Sequence, residues 1–337
     1  MNLITPTQIL PLQPSLKHSD RLLIMGSCFA EHIGGRLSQM KWRTEVNPFG
    51  VLYNPQSISE ALERLLECRP YTEEELTYFP DGGWNTWMHH SRYSYPDKDE
   101  ALGAINHSMT AASMMLGQAD ALIITLGTAW VYRLKETMQV VGNCHKVPER
   151  EFVRQRLTVE EIVETYTALL AQMWAVNPKM RVIFTVSPIR HLKDTLHGNQ
   201  LSKATLLLAV DELCNRYPEQ LHYFPAYEIV MDELRDYRFY AEDMAHPSSQ
   251  AVEYVWERFV EHMTDHEAQA FIAQWNKIAR ALAHRPFHPE AEEYKQFVLQ
   301  NKTKIENLKE KYPYLEVQDE INTCNMLCKD EEEKNEQ

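Results

Sequence analysis

The sequence of 337 residues lacks a long apolar run, and its first residues lack the pattern expected of a secretion leader. Its apolar runs, such as residues 121–126, are of strand length and fall far short of the roughly 20 residues that span a bilayer. The N-terminus has no basic region followed by a continuous apolar stretch, and Pro6, Pro11 and Pro14 would interrupt one. We therefore expect no membrane span and a cytoplasmic location.

Positive charge is also scarce, with 34 Lys and Arg against 48 Asp and Glu and a formal net charge of -14. Because phosphate contacts need a surplus of Lys and Arg on one face, this balance argues against nucleic acid as a partner. Cysteine is sparse and irregularly spaced, at positions 28, 68, 144, 214, 324 and 328. In a chain of this length that pattern predicts free thiols rather than a disulfide framework.

Strand-length apolar runs alternate with segments of helical spacing over most of the chain. Strands are predicted at 21–25, 42–46, 121–126, 181–186 and 221–224, and helices at 29–40, 55–68, 101–116, 158–175, 201–216 and 248–262. Such alternation predicts an α/β fold with a doubly wound, mostly parallel sheet covered by helices on both faces.

The pattern also predicts how the chain divides. Residues 1–263 form the α/β domain, and it contains an insertion loop at about 69–100 that is aromatic, rich in Pro, Gly and His, and without a clean period. Residues 264–312 read as a helical extension. The acidic stretch 313–337 is expected to be a solvated, disordered tail.

Three short motifs follow directly after predicted strands, where ligands bind in open parallel sheets. They are Gly26-Ser27-Cys28, residues 47–50 and Gly127-Thr128, and a fourth motif, residues 243–246, follows the last predicted strand and its loop.

In the first motif, a small nucleophile at a helix N-terminus could use nearby backbone N–H groups to hold an oxyanion. The alternative is a packing turn in which Ser27 caps the helix.

The Asp243-x-x-His246 spacing lets a carboxylate orient an imidazole as a general base. Spacing alone decides little, because 48 acidic residues and 14 His in 337 positions give about two such pairs by chance and the sequence has three. The other two, Asp194/His197 and Glu219/His222, lie in or beside helical stretches. Only the pair at 243 and 246 follows the last strand and precedes the final core helix.

Taken together, several motifs resemble the GSCFA domain family. They are Gly-Ser-Cys-Phe-Ala at 26–30, Asn-Pro-Phe-Gly-Val-Leu-Tyr-Asn-Pro at 47–55, Asn-Cys-His-Lys-Val-Pro at 143–148 and Asp-x-x-His-Pro-Ser at 243–248. The resemblance runs from about residue 20 to 260. That family is in turn similar to the SGNH, or GDSL-type, hydrolases, which implies a flavodoxin-like three-layer fold and acyl chemistry.

The resemblance implies a triad of nucleophile, His246 and Asp243, with Gly50 and Gly127 at the oxyanion hole. Two departures matter. Alignment of Gly26-Ser27-Cys28 with the Gly-Asp-Ser motif of the superfamily places Cys28 at the position of the nucleophile. The usual nucleophile of the superfamily is a serine, which favours Ser27, so both residues stay open. Ala129 stands where the family has an oxyanion Asn, and Asn143 or the Thr128 hydroxyl could substitute for it.

Further along, Arg190, His191, Asn199 and Lys203 could contact an anionic substrate, or could equally be surface residues around a helix start. Adjacent pairs such as Cys144-His145 and His89-His90 do not have the spacing of metal sites, so we expect neither metal nor cofactor.

The sequence thus predicts an SGNH-like hydrolase or acyltransferase that acts on an ester or thioester of a small-molecule, glycan or acyl substrate. A catalytically degenerate protein that binds an acylated or glycan ligand is the alternative. An interaction protein that recruits a partner through its C-terminal helices is a third possibility. The substrate and the oligomeric state stay open.

Overall fold

The computed structural model describes residues 5–79, 82–288 and 291–329. Its strands are β1 (Arg21–Gly26), β2 (Arg43–Val46), β3 (Thr77–Phe79), β4 (Gly83–Asn85), β5 (Ala121–Leu126), β6 (Trp130–Leu134), β7 (Val140–Val141), β8 (Phe152–Arg156), β9 (Arg181–Val186) and β10 (Leu221–Tyr223). Its helices are α1 (Cys28–Gln39), α2 (Pro55–Leu66), α3 (Lys98–Gln118), α4 (Val159–Val176), α5 (Thr195–Arg216), α6 (Ala226–Glu228), α7 (Ser249–Met263), α8 (His266–Ala283), α9 (Glu292–Lys311) and α10 (Gln318–Lys329).

Five strands form one parallel sheet in the order β10-β9-β5-β1-β2. The order reverses between β1 and β5, which is the strand order of flavodoxin-like doubly wound folds. The prediction of a mostly parallel sheet with helices on both faces is confirmed.

Side chains of each central strand alternate between two apolar cores because successive residues of a strand point to opposite faces. In β1, Leu23 and Met25 pack with residues of α2 to α5, whereas Leu22 and Ile24 pack with residues of α1, α7 and α8. The strands are therefore apolar at nearly every position, which is why the sequence identified them.

The register of β1, β5 and β9 brings their carboxyl ends to one edge of the sheet. Gly26 pairs with Thr125, and Leu126 pairs with Val186. Residues that follow these strands, among them Ser27, Gly127 and Ser187, consequently lie side by side.

Two regions contain strands that the sequence did not predict. The insertion contains the hairpin of β3 and β4, and it packs Phe79 and His89 in the interior, while Pro80 and Asp81 lie outside the described residues. Residues 130–156 form a three-stranded antiparallel sheet in the order β7-β6-β8, which was not predicted. Its strands are short and partly polar, so they lack the apolar run by which the central strands were found.

The prediction of a solvated tail from residue 313 is wrong for residues 313–329. Leu315, Val317 and Cys324 are buried in the core that α1 and β1 share, and Lys41 pairs with Glu320 at 2.5 Å. The prediction relied on the acidic composition of this segment, which contains only a few apolar side chains to anchor it. Residues 330–337 lie outside the described part. Among described residues, no helix is both long enough and apolar enough to traverse a membrane.

Candidate functional site

The turn between β1 and α1 is built on Gly26. Its φ is +139°, and a Cβ there would lie 2.2 Å from the Thr125 carbonyl oxygen, so only glycine fits. Its N–H donates to Asn47 Oδ1 at 2.8 Å. The Asn47 carboxamide therefore positions the turn from the neighbouring strand, a role that the sequence did not reveal.

Ser27 and Cys28 have different surroundings in this turn. Ser27 caps α1, with 1% of its surface exposed, and its Oγ accepts the Phe29 N–H at 3.3 Å. Cys28 is the first helical residue, half-buried, and its Sγ lies 3.3 Å from the Tyr53 hydroxyl. Burial, followed by the contact with Cys28, raises the pKa of Tyr53, so the phenol stays protonated and can donate to sulfur.

Asp243 and His246 form a hydrogen-bonded pair. Asp243 Oδ2 and His246 Nδ1 are 2.6 Å apart, and Asp243 Oδ1 accepts the N–H groups of His246 and Ala245 at 3.0 and 2.9 Å. These backbone bonds, the His246 N–H first, and then the imidazole lower the pKa of Asp243 to about 2. An ionised carboxylate on Nδ1 leaves Nε2 of a neutral His246 as the proton acceptor.

Cys28, Ser27 and His246 line one cavity of about 630 Å³ at the carboxyl edge of the sheet. Within the described residues, neither the thiol nor the Ser27 hydroxyl is hydrogen-bonded to the imidazole. The structure thus places the candidate nucleophiles and the candidate base around the same space without the bond that would join them.

The N–H groups of the two predicted oxyanion glycines, and that of Thr128, are already engaged. Gly50, with φ +79°, donates its N–H to the Asn47 carbonyl at 2.7 Å and does not line the cavity. The N–H groups of Gly127 and Thr128 both donate to the Tyr53 carbonyl, at 2.7 and 2.9 Å. Gly50 therefore shapes a turn instead of supplying the predicted donor, and Gly127 holds the segment that carries Tyr53.

Asn143 retains a donor. It lines the cavity, and its Oδ1 accepts the His145 N–H at 3.0 Å, while no partner of its Nδ2 is found across residues 5–79, 82–288 and 291–329. Thr128 also lines the cavity, but its hydroxyl lies 3.1 Å from Ser202 Oγ and accepts the Trp130 N–H. The Ala129 N–H donates to Ser202 Oγ in the interior.

The four residues predicted around an anionic substrate separate into two pairs. Arg190 and His191 line the cavity. Asn199 and Lys203 are buried and do not line it, so the prediction of substrate contact is wrong for these two. Helix α5 begins at Thr195, earlier than predicted, and turns both residues toward the sheet. Asn199 Oδ1 instead accepts the His191 N–H at 3.0 Å.

His191 is held as a neutral ring. Burial, followed by the charge of Lys203, lowers its pKa to about 4, and the ring is hydrogen-bonded to the Gly127 carbonyl. The ring also packs edge-on against Tyr53, with centroids 5.8 Å apart.

One wall of the cavity comes from the unpredicted antiparallel sheet. Trp130, Tyr132 and Arg154 line it, and the Arg154 guanidinium lies 4.2 Å from the Trp130 ring centroid. Residues 130 and 132 alternate along β6, and residue 154 lies on β8. This alternation was the sequence signal from which the wall could have been predicted. In the described part of the chain, no group of three or more His, Cys, Asp or Glu side chains could hold a metal ion.

Comparisons with known proteins give one family. Residues 21–259 match the GSCFA family, and residues 275–329 match the GSCFA domain protein, C-terminal domain. No curated protein matches the sequence.

Among solved structures, an acetyl xylan esterase (Est2A) from the rumen bacterium Butyrivibrio proteoclasticus is similar, with 13% identity and a TM-score of 0.27. The match covers 45% of this chain and 38% of that chain, so it spans less than half of the esterase.

The first family match contains the parallel sheet, the β1–α1 turn and the Asp243–His246 pair. It covers more than half of the chain and agrees with the motifs recognised in the sequence. The protein belongs to the GSCFA family.

Proposed function

We propose that the protein hydrolyses an ester or thioester, or transfers its acyl group, with Cys28 as the nucleophile. The observation that carries this proposal is that Cys28 and His246 line the same cavity at the carboxyl edge of the sheet, and that Asp243 is hydrogen-bonded to His246 Nδ1. Cys28 is favoured over Ser27 because Ser27 Oγ caps α1, whereas the hydrogen bond found for Cys28 Sγ among the described residues is to the Tyr53 hydroxyl.

In this mechanism His246 Nε2 takes the proton of the Cys28 thiol, and the sulfur attacks the carbonyl carbon of the substrate. The Cys28 side chain turns from Tyr53 toward His246 for this step, since hydrogen bonds of the resting site often tighten only with substrate bound. When the bond to the leaving alcohol or thiol breaks, His246 returns the proton to it. Water or an acceptor hydroxyl then attacks the thioester at Cys28 in the same way, which frees the thiol.

Two donors suit the oxyanion of the tetrahedral intermediate. The Cys28 N–H lies in the first turn of α1, where no acceptor exists inside the helix. Asn143 Nδ2 supplies the second, in place of the Asn that Ala129 replaces. Loss of one such donor costs on the order of a hundredfold or more in rate.

Turnover of para-nitrophenyl acetate and of an acetyl thioester tests the proposal. We expect Cys28→Ala and His246→Ala each to lower kcat/KM by about a hundredfold or more, and Ser27→Ala to retain more activity than either. Cys68→Ala and His197→Ala serve as matched controls because both residues are exposed and neither lines the cavity. Equal activity in all five variants would refute the mechanism.

Binding without turnover is the second candidate. It is favoured by the engagement of the Gly50, Gly127 and Thr128 N–H groups in bonds within the protein. Tight binding of an acylated ligand, with no hydrolysis and no reaction of Cys28 with iodoacetamide, would support this candidate over the enzyme.

A further inference from the structure

The cavity is rich in positive charge although the chain carries a net charge of -14. Lys146, Arg154, Arg190 and Lys193 line it, and Asp194 is the acidic side chain among the lining residues. Such an excess in one concave site attracts anions from solution and raises their local concentration.

Two of these cations are paired with acidic side chains. Arg154 forms an ion pair with Asp194 and stacks on Trp130, and Lys193 lies 3.2 Å from Glu149. Their charge is therefore partly compensated within the protein.

Arg190 is different, because the two side chains that its guanidinium contacts, Gln200 and Met231, are uncharged. The charged group that it acts on is the buried Lys203 amine. The guanidinium donates to Gln200 Oε1 at 3.2 Å and lies 2.9 Å from Met231 Sδ, and among the described Asp and Glu residues none forms an ion pair with it. Gln200 is itself fixed by the Tyr227 hydroxyl at 2.8 Å. The arginine is thus positioned by its surroundings while its charge is left without a counterion.

The position of Arg190 relates it to the proposed chemistry. Its backbone N–H donates to the Ala245 carbonyl at 3.1 Å, which ties it to the residue preceding His246. His191, next in the chain, is kept neutral by burial and so brings no second charge. A half-buried guanidinium without a counterion is unfavourable, and its planar fork matches a carboxylate.

We propose that Arg190 binds a carboxylate of the substrate, so that the preferred substrate is an anionic ester. That the substrate is an ester rests on the proposed function, whereas its negative charge is inferred from the charge distribution of the cavity. The carboxylate would belong either to the acyl part or to the alcohol part of the substrate, and the two can be separated by experiment.

The first experiment compares turnover of matched esters. Para-acetoxybenzoate and para-acetoxybenzamide differ in charge on the alcohol side, and mono-para-nitrophenyl adipate and para-nitrophenyl hexanoate differ on the acyl side. We expect kcat/KM to favour the anionic member of at least one pair by about tenfold. Arg190→Gln should abolish the preference and Arg190→Lys should keep part of it. Arg216→Gln, an exposed arginine at the end of α5, is the matched control and should change neither.

The second experiment measures binding without turnover. Para-acetamidobenzoate, which has no ester, should bind to the protein by calorimetry about tenfold more tightly than to Arg190→Gln. Circular dichroism and thermal melting of both proteins establish that the variant is folded.

The outcomes separate the two proposals. Turnover of neutral and anionic esters at equal rates, without measurable binding of the benzoate, would overturn the anion site and leave the hydrolase intact. Binding that depends on Arg190, without turnover of any ester, would uphold the anion site and reject the hydrolase.

Discussion

Lys203 places an amino group inside the protein beneath the cavity. Its Nζ donates to the Gly127 and Ser187 carbonyls, at 2.6 Å each, and so joins the ends of β5 and β9. Burial, followed by the charge of Arg190, lowers its pKa to about 7. The residue therefore holds the cavity wall while its own protonation depends on pH near neutrality.

This burial predicts a pH dependence of stability. The unfolded chain keeps the Lys203 proton up to about pH 10, whereas the folded protein releases it from about pH 7. Between these values unfolding takes up a proton, so stability rises with pH by up to about 1.4 kcal/mol per unit. Lys203→Met lacks this contribution, and urea denaturation at pH 7, 8 and 9 should show wild type gaining stability relative to the variant. A constant difference would contradict the assignment.

The residues of the cavity were only partly predictable from the sequence. The end of a parallel strand fixes where the next residues lie, so the β1–α1 motif identified Ser27 and Cys28. His246 was identified by its spacing from Asp243 and by its place before the final core helix. The same reasoning could not show which way a helical side chain faces. Asn199 and Lys203 were consequently expected either to contact substrate or to lie on the surface, whereas α5 turns them inward. The catalytic roles of Cys28 and His246 stay proposals.

At the level of elements, the β1–α1 turn depends on Gly26, whereas Gly35 in helix α1 has open space where a side chain would be. A Cβ at Gly26 would meet the backbone of Thr125, whereas nothing lies within 4 Å of a Cβ at Gly35.

We expect Gly26→Ala to lower the unfolding free energy by about 2 kcal/mol or more, because both its φ and its space exclude a side chain. Gly35→Ala, in α1 itself, should raise it by about 0.5–1 kcal/mol, since alanine favours the helix. Urea denaturation measures both. A Gly26→Ala variant with the same unfolding free energy as wild type would show that the turn is not as tight as described.

Elements with long apolar runs or clear helical spacing were predicted closely, as for β5 and β9. The strands β6 and β8 were missed because they are partly exposed beside the cavity, where partly polar residues line the site instead of filling a core. The strand β7 was missed because it has only two residues. This region contributes Trp130, Tyr132 and Arg154, so much of the cavity's character could not be predicted from hydrophobic pattern.

Across the whole molecule, the C-terminal helices share a core with the sheet. Trp275 donates its indole N–H to the Gln39 carbonyl at 2.9 Å, and the Tyr314 hydroxyl lies 2.9 Å from His18 Nδ1. Leu315 and Val317 are buried in the same cluster as Ile24.

Removal of residues 313–337 should therefore destabilise the entire protein. Burial of Leu315 and Val317 is worth about 2 kcal/mol each, so we expect a clearly lower Tm. Removal of residues 330–337 alone is the matched control, and from its acidic composition we expect no change. Equal Tm values for both truncations would show that the C-terminal helix does not stabilise the core.

The identity of the acylated residue is the most direct test of the account. The protein is mixed with para-nitrophenyl acetate, quenched rapidly in acid and digested, and the acetylated peptide is located by mass spectrometry. We predict acetyl on Cys28 in wild type, none there in Cys28→Ala, and much less in His246→Ala. Acetyl on a residue outside the β1–α1 turn, or turnover that persists without any acetylation of Cys28, would contradict the central claim.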